Sequence, residues 1–252
     1  MRCLGKDRQE CLSNETSAPM VHSIGASFFA VLCWLLMPPH SSSIRAVLFD
    51  WDGTLLNSFE SDAAAYEAMF AQIGIRWGRE ELKLHYSPNW HRVYVAAGIP
   101  EARWPEADRL WRAAYARLRP QLMAHARVIL DGLATRYALG IVSSGTRARI
   151  RRQLRRFGLW NRFDVCVANE DAPRRKPHPA GLRLALARMA LRPSQCVYVG
   201  DSPEDVEMAR LAGVRPIGIY GPFPNHERLR LSRPAALLNS LSELPAAIAK
   251  LR

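Results

Sequence analysis

Asp50 and Asp52 are separated by one residue and followed by Gly53 and Thr54. On a continuing strand their side chains would share a face. Two neighbouring carboxylates can divide a reaction between them. One attacks phosphorus and forms an aspartyl-phosphate, while the other moves protons. The plain structural alternative is a strand end followed by an Asp-Gly turn. Farther along, Ser143, Ser144, Gly145 and Thr146 offer hydroxyls and backbone N–H groups at the start of a helix. Such a set attracts an oxyanion, or simply caps the helix. Lys176 lies in a stretch stiffened by Pro177 and Pro179. A lysine at so fixed a point can reach a phosphate as a compact charge, although a loop lysine ordinarily faces solvent. Asp201 and Asp205 add two more acids. Hard oxygen ligands of this kind suit Mg²⁺. Ser202 and Asp205 also read as a capping box, which could position a metal ligand.

These groups need elements to carry them, and the chain supplies a repeating one. Residues 44–49, 138–142 and 195–199 are apolar runs that stop at Asp50, at Ser143 and at Gly200-Asp201 respectively. Runs of this length and composition read as buried parallel strands. Ligands of open α/β sheets sit where such strands end. Between them the periodicity is helical. Phe59, Ala63, Tyr66, Met69 and Phe70 recur at helix spacing, and Gly74 closes that helix. Residues 75–126 read as helix or loop with no strand pattern. Residues 147–157 form a helix with Ile150, Leu154 and Phe157 on one face and six arginines elsewhere, which reads as a solvated basic face. Residues 163–168 and 214–220 are further strands, residues 235–238 an edge strand, and residues 242–251 a closing helix capped by Ser242. Strand–helix alternation of this kind argues for an α/β fold with a parallel sheet.

Asp50-Trp51-Asp52-Gly53-Thr54-Leu55 resembles the first motif of the haloacid dehalogenase-like phosphatases. A strand ending in Ser143, then Lys176-Pro177, then Gly200-Asp201-Ser202-Pro203-Glu204-Asp205, follow in that family's order. The resemblance spans about residues 44–221. It implies a Rossmann-like core, residues 44–58 and 127–252, with an inserted α-helical cap, residues 59–126. The subgroup it points to contains phosphoglycolate phosphatase-like and β-phosphoglucomutase-like enzymes. It assigns nucleophilic attack to Asp50, acid–base work to Asp52 and charge stabilisation to Lys176. Gly53, Thr54, Ser143, Ser144 and Lys176 would hold the phosphate. Mg²⁺ would be held by Asp50, the Asp52 backbone carbonyl, Asp201 and Asp205. The second acid, Asp52, separates phosphoryl transfer from the family's dehalogenases, which lack it. The expected substrate is a small phosphorylated metabolite. A sugar-phosphate phosphomutase using the same aspartyl-phosphate is the alternative, and a non-catalytic basic binding protein is a third reading. His85, Trp90, His91 and Arg92 are substrate-contact candidates only by their place in the cap.

The chain has 252 residues, 48% of them hydrophobic, enough for one large core or a core with a small second domain. Its formal charge is +12, and four of its 35 basic residues are lysine. Arginine is spread along the whole length rather than gathered on one face, so no nucleic-acid partner is expected. The five cysteines form no Cys-x-x-Cys pair. Cys166 and Cys196 fall in strand-like runs, which suits reduced thiols in a cytoplasmic protein. Residues 1–43 differ from the rest and read as a disordered or artefactual extension. Their apolar run, residues 26–37, is short for a membrane span, so export or tethering is a minor expectation and no membrane partner is called. Oligomeric state is not legible.

Overall fold

A computed structural model of the chain describes residues 43–251. The expectations for residues 1–42, including the apolar run, lie outside the described residues. Among the described residues no helix is long and apolar enough to cross a membrane.

Eight strands are present among the described residues: β1 (Ala46–Phe49), β2 (Leu56–Asn57), β3 (Gln121–Leu122), β4 (Ala138–Val142), β5 (Val165–Val167), β6 (Cys196–Gly200), β7 (Arg215–Ile219) and β8 (Ala236–Leu238). Six of them build one sheet in the order β5-β4-β1-β6-β7-β8. Every pairing in it is parallel. The helices that matter below are α1 (Phe59–Ile73), α2 (Arg79–His85), α3 (Trp90–Ala96), α4 (Trp104–Tyr115), α5 (Ala126–Ala134), α6 (Arg147–Arg156), α7 (Ala180–Met189), α8 (Pro203–Leu211), α9 (His226–Leu231) and α10 (Leu244–Lys250).

Alternation along β1 divides the core. Val47 and Phe49 pack with Leu130 and Leu133 of α5, Ile150 and Leu154 of α6, and Leu244 and Ile248 of α10. Ala46 and Leu48 face the other way, with Leu182 and Leu186 of α7 and Met208 and Ala209 of α8. A sheet covered on both faces needs strands that are apolar on both sides, which is why these runs are nearly continuous. The order of the strands places the chemistry. The chain leaves β1 for β4 and β5 on one side, then crosses back to β6 on the other, and ligands gather at such a switch point. Phe49 is in register with Ile141 of β4 and Val199 of β6. The residues just beyond these partners, Asp50, Ser143 and Asp201, therefore emerge together at one edge.

Helices α1 to α4 share a separate cluster around Tyr66, Phe70, Val93 and Tyr94. It is bracketed by a short antiparallel ribbon in which Leu56 pairs with Leu122 and Asn57 with Gln121. Residues 75–126 were expected to hold no strand; β3 is the exception. Two residues carry no periodicity, and the ribbon is set by where the insert leaves and rejoins the sheet. Two other details differ. Residues 226–231, given no element from the sequence, form α9, and the cap of the closing turn is Ser240, whose Oγ accepts from the Ser242 N–H at 3.2 Å.

Cys196 lies in β6 with no exposed surface, and burial pushes its thiol up to about 12. Only the thiolate alkylates readily. Iodoacetamide at pH 8 should leave Cys196 unmodified in the folded protein and label it after unfolding in urea, as read by peptide mass.

Candidate active site

The backbone after β1 turns sharply. Gly53 takes a φ of 79° and its N–H donates to the Leu56 carbonyl at 2.8 Å. A Cβ there would lie 2.3 Å from Asp201 Oδ2 and 2.6 Å from Phe223 Cδ2. Glycine is needed both for the left-handed backbone and for room beside Asp201. Gly53→Ala is expected to cost about 1–3 kcal/mol, because overpacking adds to backbone strain. Thermal unfolding should show a clear drop in Tm, with catalysis lost as Asp201 is displaced.

Three buried carboxylates meet at this edge. Asp50, Asp201 and Asp205 each place an oxygen so that all three lie within 4.8 Å of one another. Lys176 is drawn in among them, its Nζ 2.6 Å from Asp50 Oδ1 and 2.7 Å from Asp205 Oδ1. Burial would lower the lysine's affinity for its proton. Its contacts with Asp205 and Asp50 outweigh that and hold its pKa above the usual range, so it stays charged. One cation does not balance three acids. Burial pushes Asp50 up to about 7, with Lys176 opposing and Asp205 adding to the rise. Asp201 is also raised well above a normal carboxyl, by burial first and then by Asp205 and Asp50. A divalent cation held by these oxygens would supply the missing charge, so the residues fit Mg²⁺.

The acids are not equivalent. Asp205 completes a capping box on α8: its Oδ2 accepts from Ser202 Oγ at 2.6 Å and from Ser202 N–H at 3.1 Å, while Ser202 Oγ accepts from Asp205 N–H at 3.2 Å. Tyr198 OH donates to the Val142 carbonyl at 2.8 Å and lies 3.3 Å from Asp205 Oδ1. Asp201 is less encumbered, accepting from Thr54 Oγ1 at 3.1 Å. Thr54 thus orients an acid here, and the Gly53 amide is spent on the turn. Ser143 Oγ accepts from the Gly145 N–H at 3.1 Å, which braces the β4–α6 loop. Ser144 Oγ is buried with no partner and lines the cavity in front of Asp50. An unpaired buried hydroxyl is costly, and a phosphate oxygen would satisfy it.

Asp52 points elsewhere. Its carboxylate meets Arg149 of α6 in a two-pronged contact, Nη1 to Oδ1 at 2.8 Å and Nη2 to Oδ2 at 2.6 Å. The Arg149 side chain is 11% exposed, and its Cζ lies 5.1 Å from the Tyr115 ring centroid. Trp51 Nε1 donates to Gln153 Oε1 at 2.9 Å, one helical turn farther along. Arg149 and Gln153 therefore clasp the two residues that follow Asp50. The reading of α6 as a uniformly solvated basic face fails at Arg149. A signal existed: Gln153 is the uncharged polar residue in a run of arginines, four residues after Arg149 and next to the apolar Ile150–Leu154 pair.

Of the four candidates in the helical segment, Trp90 lines the cavity. His91 touches Arg175 at 2.9 Å and packs on the Trp104 ring, Arg92 reaches Glu204 at 3.8 Å, and His85 stacks on Trp77.

Comparison with known proteins agrees with this geometry. A family model described as haloacid dehalogenase-like hydrolase matches residues 47–219. A pyrophosphatase PpaX of Bacillus pumilus is 28% identical over 214 residues, covering 83% of this chain and 98% of that protein. A phosphoglycolate phosphatase of Escherichia coli is 26% identical over 233 residues, covering 81% and 92%. Among solved structures, a haloacid dehalogenase-like family hydrolase of Streptococcus pneumoniae superposes with a TM-score of 0.72 at 23% identity, covering 82% of this chain and 99% of that one.

Proposed function

The chain belongs to the haloacid dehalogenase-like hydrolase family, and from that premise we propose that it is a phosphatase of small phosphorylated metabolites that works through an aspartyl-phosphate on Asp50. The observation that carries this reading is the convergence of Asp50, Asp201 and Asp205 around one point, with Lys176 between them, at the ends of adjacent parallel strands. Both relatives named above act, by their names, on phosphorylated compounds. The helical segment 59–126 serves as the cap, and residues 44–58 and 127–252 as the core.

In this mechanism Asp50 is the nucleophile and must be ionised to attack. Mg²⁺, held by Asp50, Asp201 and the Asp52 carbonyl with Asp205 bracing Lys176, would neutralise the phosphate and keep Asp50 charged. Lys176 and the Ser143–Ser144 hydroxyls hold the equatorial oxygens, where charge collects as the phosphoryl group transfers. Asp50 forms a bond to phosphorus as the ester oxygen leaves. Asp52 gives a proton to that oxygen, then takes one from the water that cleaves the aspartyl-phosphate. Arg149 sets where Asp52 points.

Enzyme stripped with EDTA should not hydrolyse p-nitrophenyl phosphate, and millimolar Mg²⁺ should restore turnover where Na⁺ does not. Undiminished activity in EDTA would remove the metal from the reaction. Stoichiometric release of inorganic phosphate, rather than an isomerised ester, separates phosphatase from mutase.

A further inference from the structure

The cavity in front of Asp50 runs on from the strand ends into the helical segment. It measures about 100 Å³, room for a small leaving group and no more. Its walls change character along the way. Near Asp50 they are hydroxyls and backbone. The helical segment supplies the rings of Tyr66, Tyr86, Trp90, Tyr94 and Trp111. Two acids, Asp62 and Asp108, join those rings, and two arginines line the same space.

Each arginine already faces an acid. Arg149 is committed to Asp52 through two short bonds. Arg112 lies 3.7 Å from Asp108, with its side chain 53% exposed. Asp108 also accepts from Trp90 Nε1 at 3.0 Å and Tyr94 OH at 2.9 Å, so its place is structural. Asp62 is different. Its carboxyl makes no hydrogen bond or ion pair among the described residues, yet it lines the cavity on the ring side. Burial and the nearby Asp52 push it up to about 8, against the pull of Arg149, whose bonds go to Asp52. The ring side thus carries an acid with no hydrogen bond or ion pair of its own among the described residues, beside aromatic faces whose electron-rich surfaces repel anions and attract cations.

A second anion on the substrate, a carboxylate or another phosphate, would have to draw Arg112 from Asp108 and would face Asp62. An ammonium would meet both the rings and the acid. Resting on the phosphatase reading above, we propose that the substrate is a phosphomonoester of a small amino alcohol, with its phosphate at Asp50 and its ammonium among Tyr66, Tyr86, Trp111 and Asp62. Recognition of ammonium groups by aromatic faces beside an acid is a general mode. Asp62 is then a specificity-determining residue.

The test compares three esters of similar size: phosphoethanolamine, n-propyl phosphate and phosphoglycolate, each at saturating Mg²⁺, with phosphate release as the readout and p-nitrophenyl phosphate as control. Phosphoethanolamine should exceed phosphoglycolate in kcat/KM by about tenfold or more, since a desolvated cation–ring contact is of that size. Asp62→Asn should shrink that ratio, chiefly through a higher KM for phosphoethanolamine. Should Asp62→Asn fail to fold, the wild-type ratio alone decides. Phosphoglycolate turned over as well as or better than phosphoethanolamine overturns the proposal and leaves the phosphatase intact. A ratio unmoved by Asp62→Asn in folded protein overturns the role of Asp62. No hydrolysis of any ester, p-nitrophenyl phosphate included, would sink the phosphatase reading and this one with it.

Discussion

Asp50→Asn is expected to abolish turnover, with kcat on p-nitrophenyl phosphate falling by on the order of 10³-fold or more, as for other essential covalent nucleophiles. The amide matches the carboxylate in shape but cannot form the acyl phosphate. It should also fold, because the replacement removes a charge that burial already disfavours. Asp50 does hold Lys176, but Asp205 holds it as well, at 2.7 Å, so the lysine keeps a partner. Circular dichroism and Tm should therefore stay near wild type while the rate collapses. Rapid quenching of wild-type enzyme with a labelled phosphomonoester should trap acid-stable label on the peptide containing Asp50, and the variant should trap none. Activity of Asp50→Asn near wild type would remove the residue from the nucleophile's role and leave the acidic cluster as a metal site with another attacking group.

That prediction was within reach of the sequence, for a physical reason. The residues involved stand immediately after buried strands, and such strands announce themselves as short apolar runs. The turn after β1 needs Gly53, whose absent Cβ leaves room for Asp201. The capping box from Ser202 to Asp205 has a local signature, and it is present as read. What joins the strands into a site is their order in the sheet, which runs of this kind do not state; the ordered motifs supplied it by resemblance. The helical segment was legible as helix but not as a binding surface. The cavity walls at Tyr66, Tyr86 and Trp111 come from three separate stretches, and no spacing between them marks a shared face. Asp62 reads in the sequence as an ordinary first-turn acid of α1, favourable to the helix dipole. Only the packed structure shows that it lines the cavity with the rings and has no ion pair of its own.

Arg149 was hidden for a related reason. A run of arginines on an amphipathic helix looks solvated, and α6 carries five others. What singles out Arg149 is its distant partner, Asp52, 97 positions away. A carboxyl that passes protons must keep one place, and a bidentate guanidinium fixes the ionised group in both distance and plane, one prong yielding while Asp52 carries the proton. Arg149→Ala should therefore lower kcat/KM by about 10²-fold on an alkyl phosphate, the low end of what general acid–base catalysis contributes. In kcat/KM, which reports the steps up to aspartyl-phosphate formation, the loss should be much smaller on p-nitrophenyl phosphate, whose leaving group departs without a proton. That difference is the readout that a merely structural arginine would not give. Stability should fall too, by less than the roughly 3–5 kcal/mol of a fully buried broken pair, because Asp52 is 20% exposed and water can reach it. Arg149→Lys should recover part of the stability and little of the alkyl-phosphate rate, since a single ammonium cannot match both carboxylate oxygens. Combining Arg149→Ala with Asp52→Asn should cost hardly more than Asp52→Asn alone, because the two act as one unit. Equal losses on both substrates, or additive losses in the double variant, would mean that Arg149 supports the fold beside the site without setting the acid, and Asp52 would then need another group to position its proton.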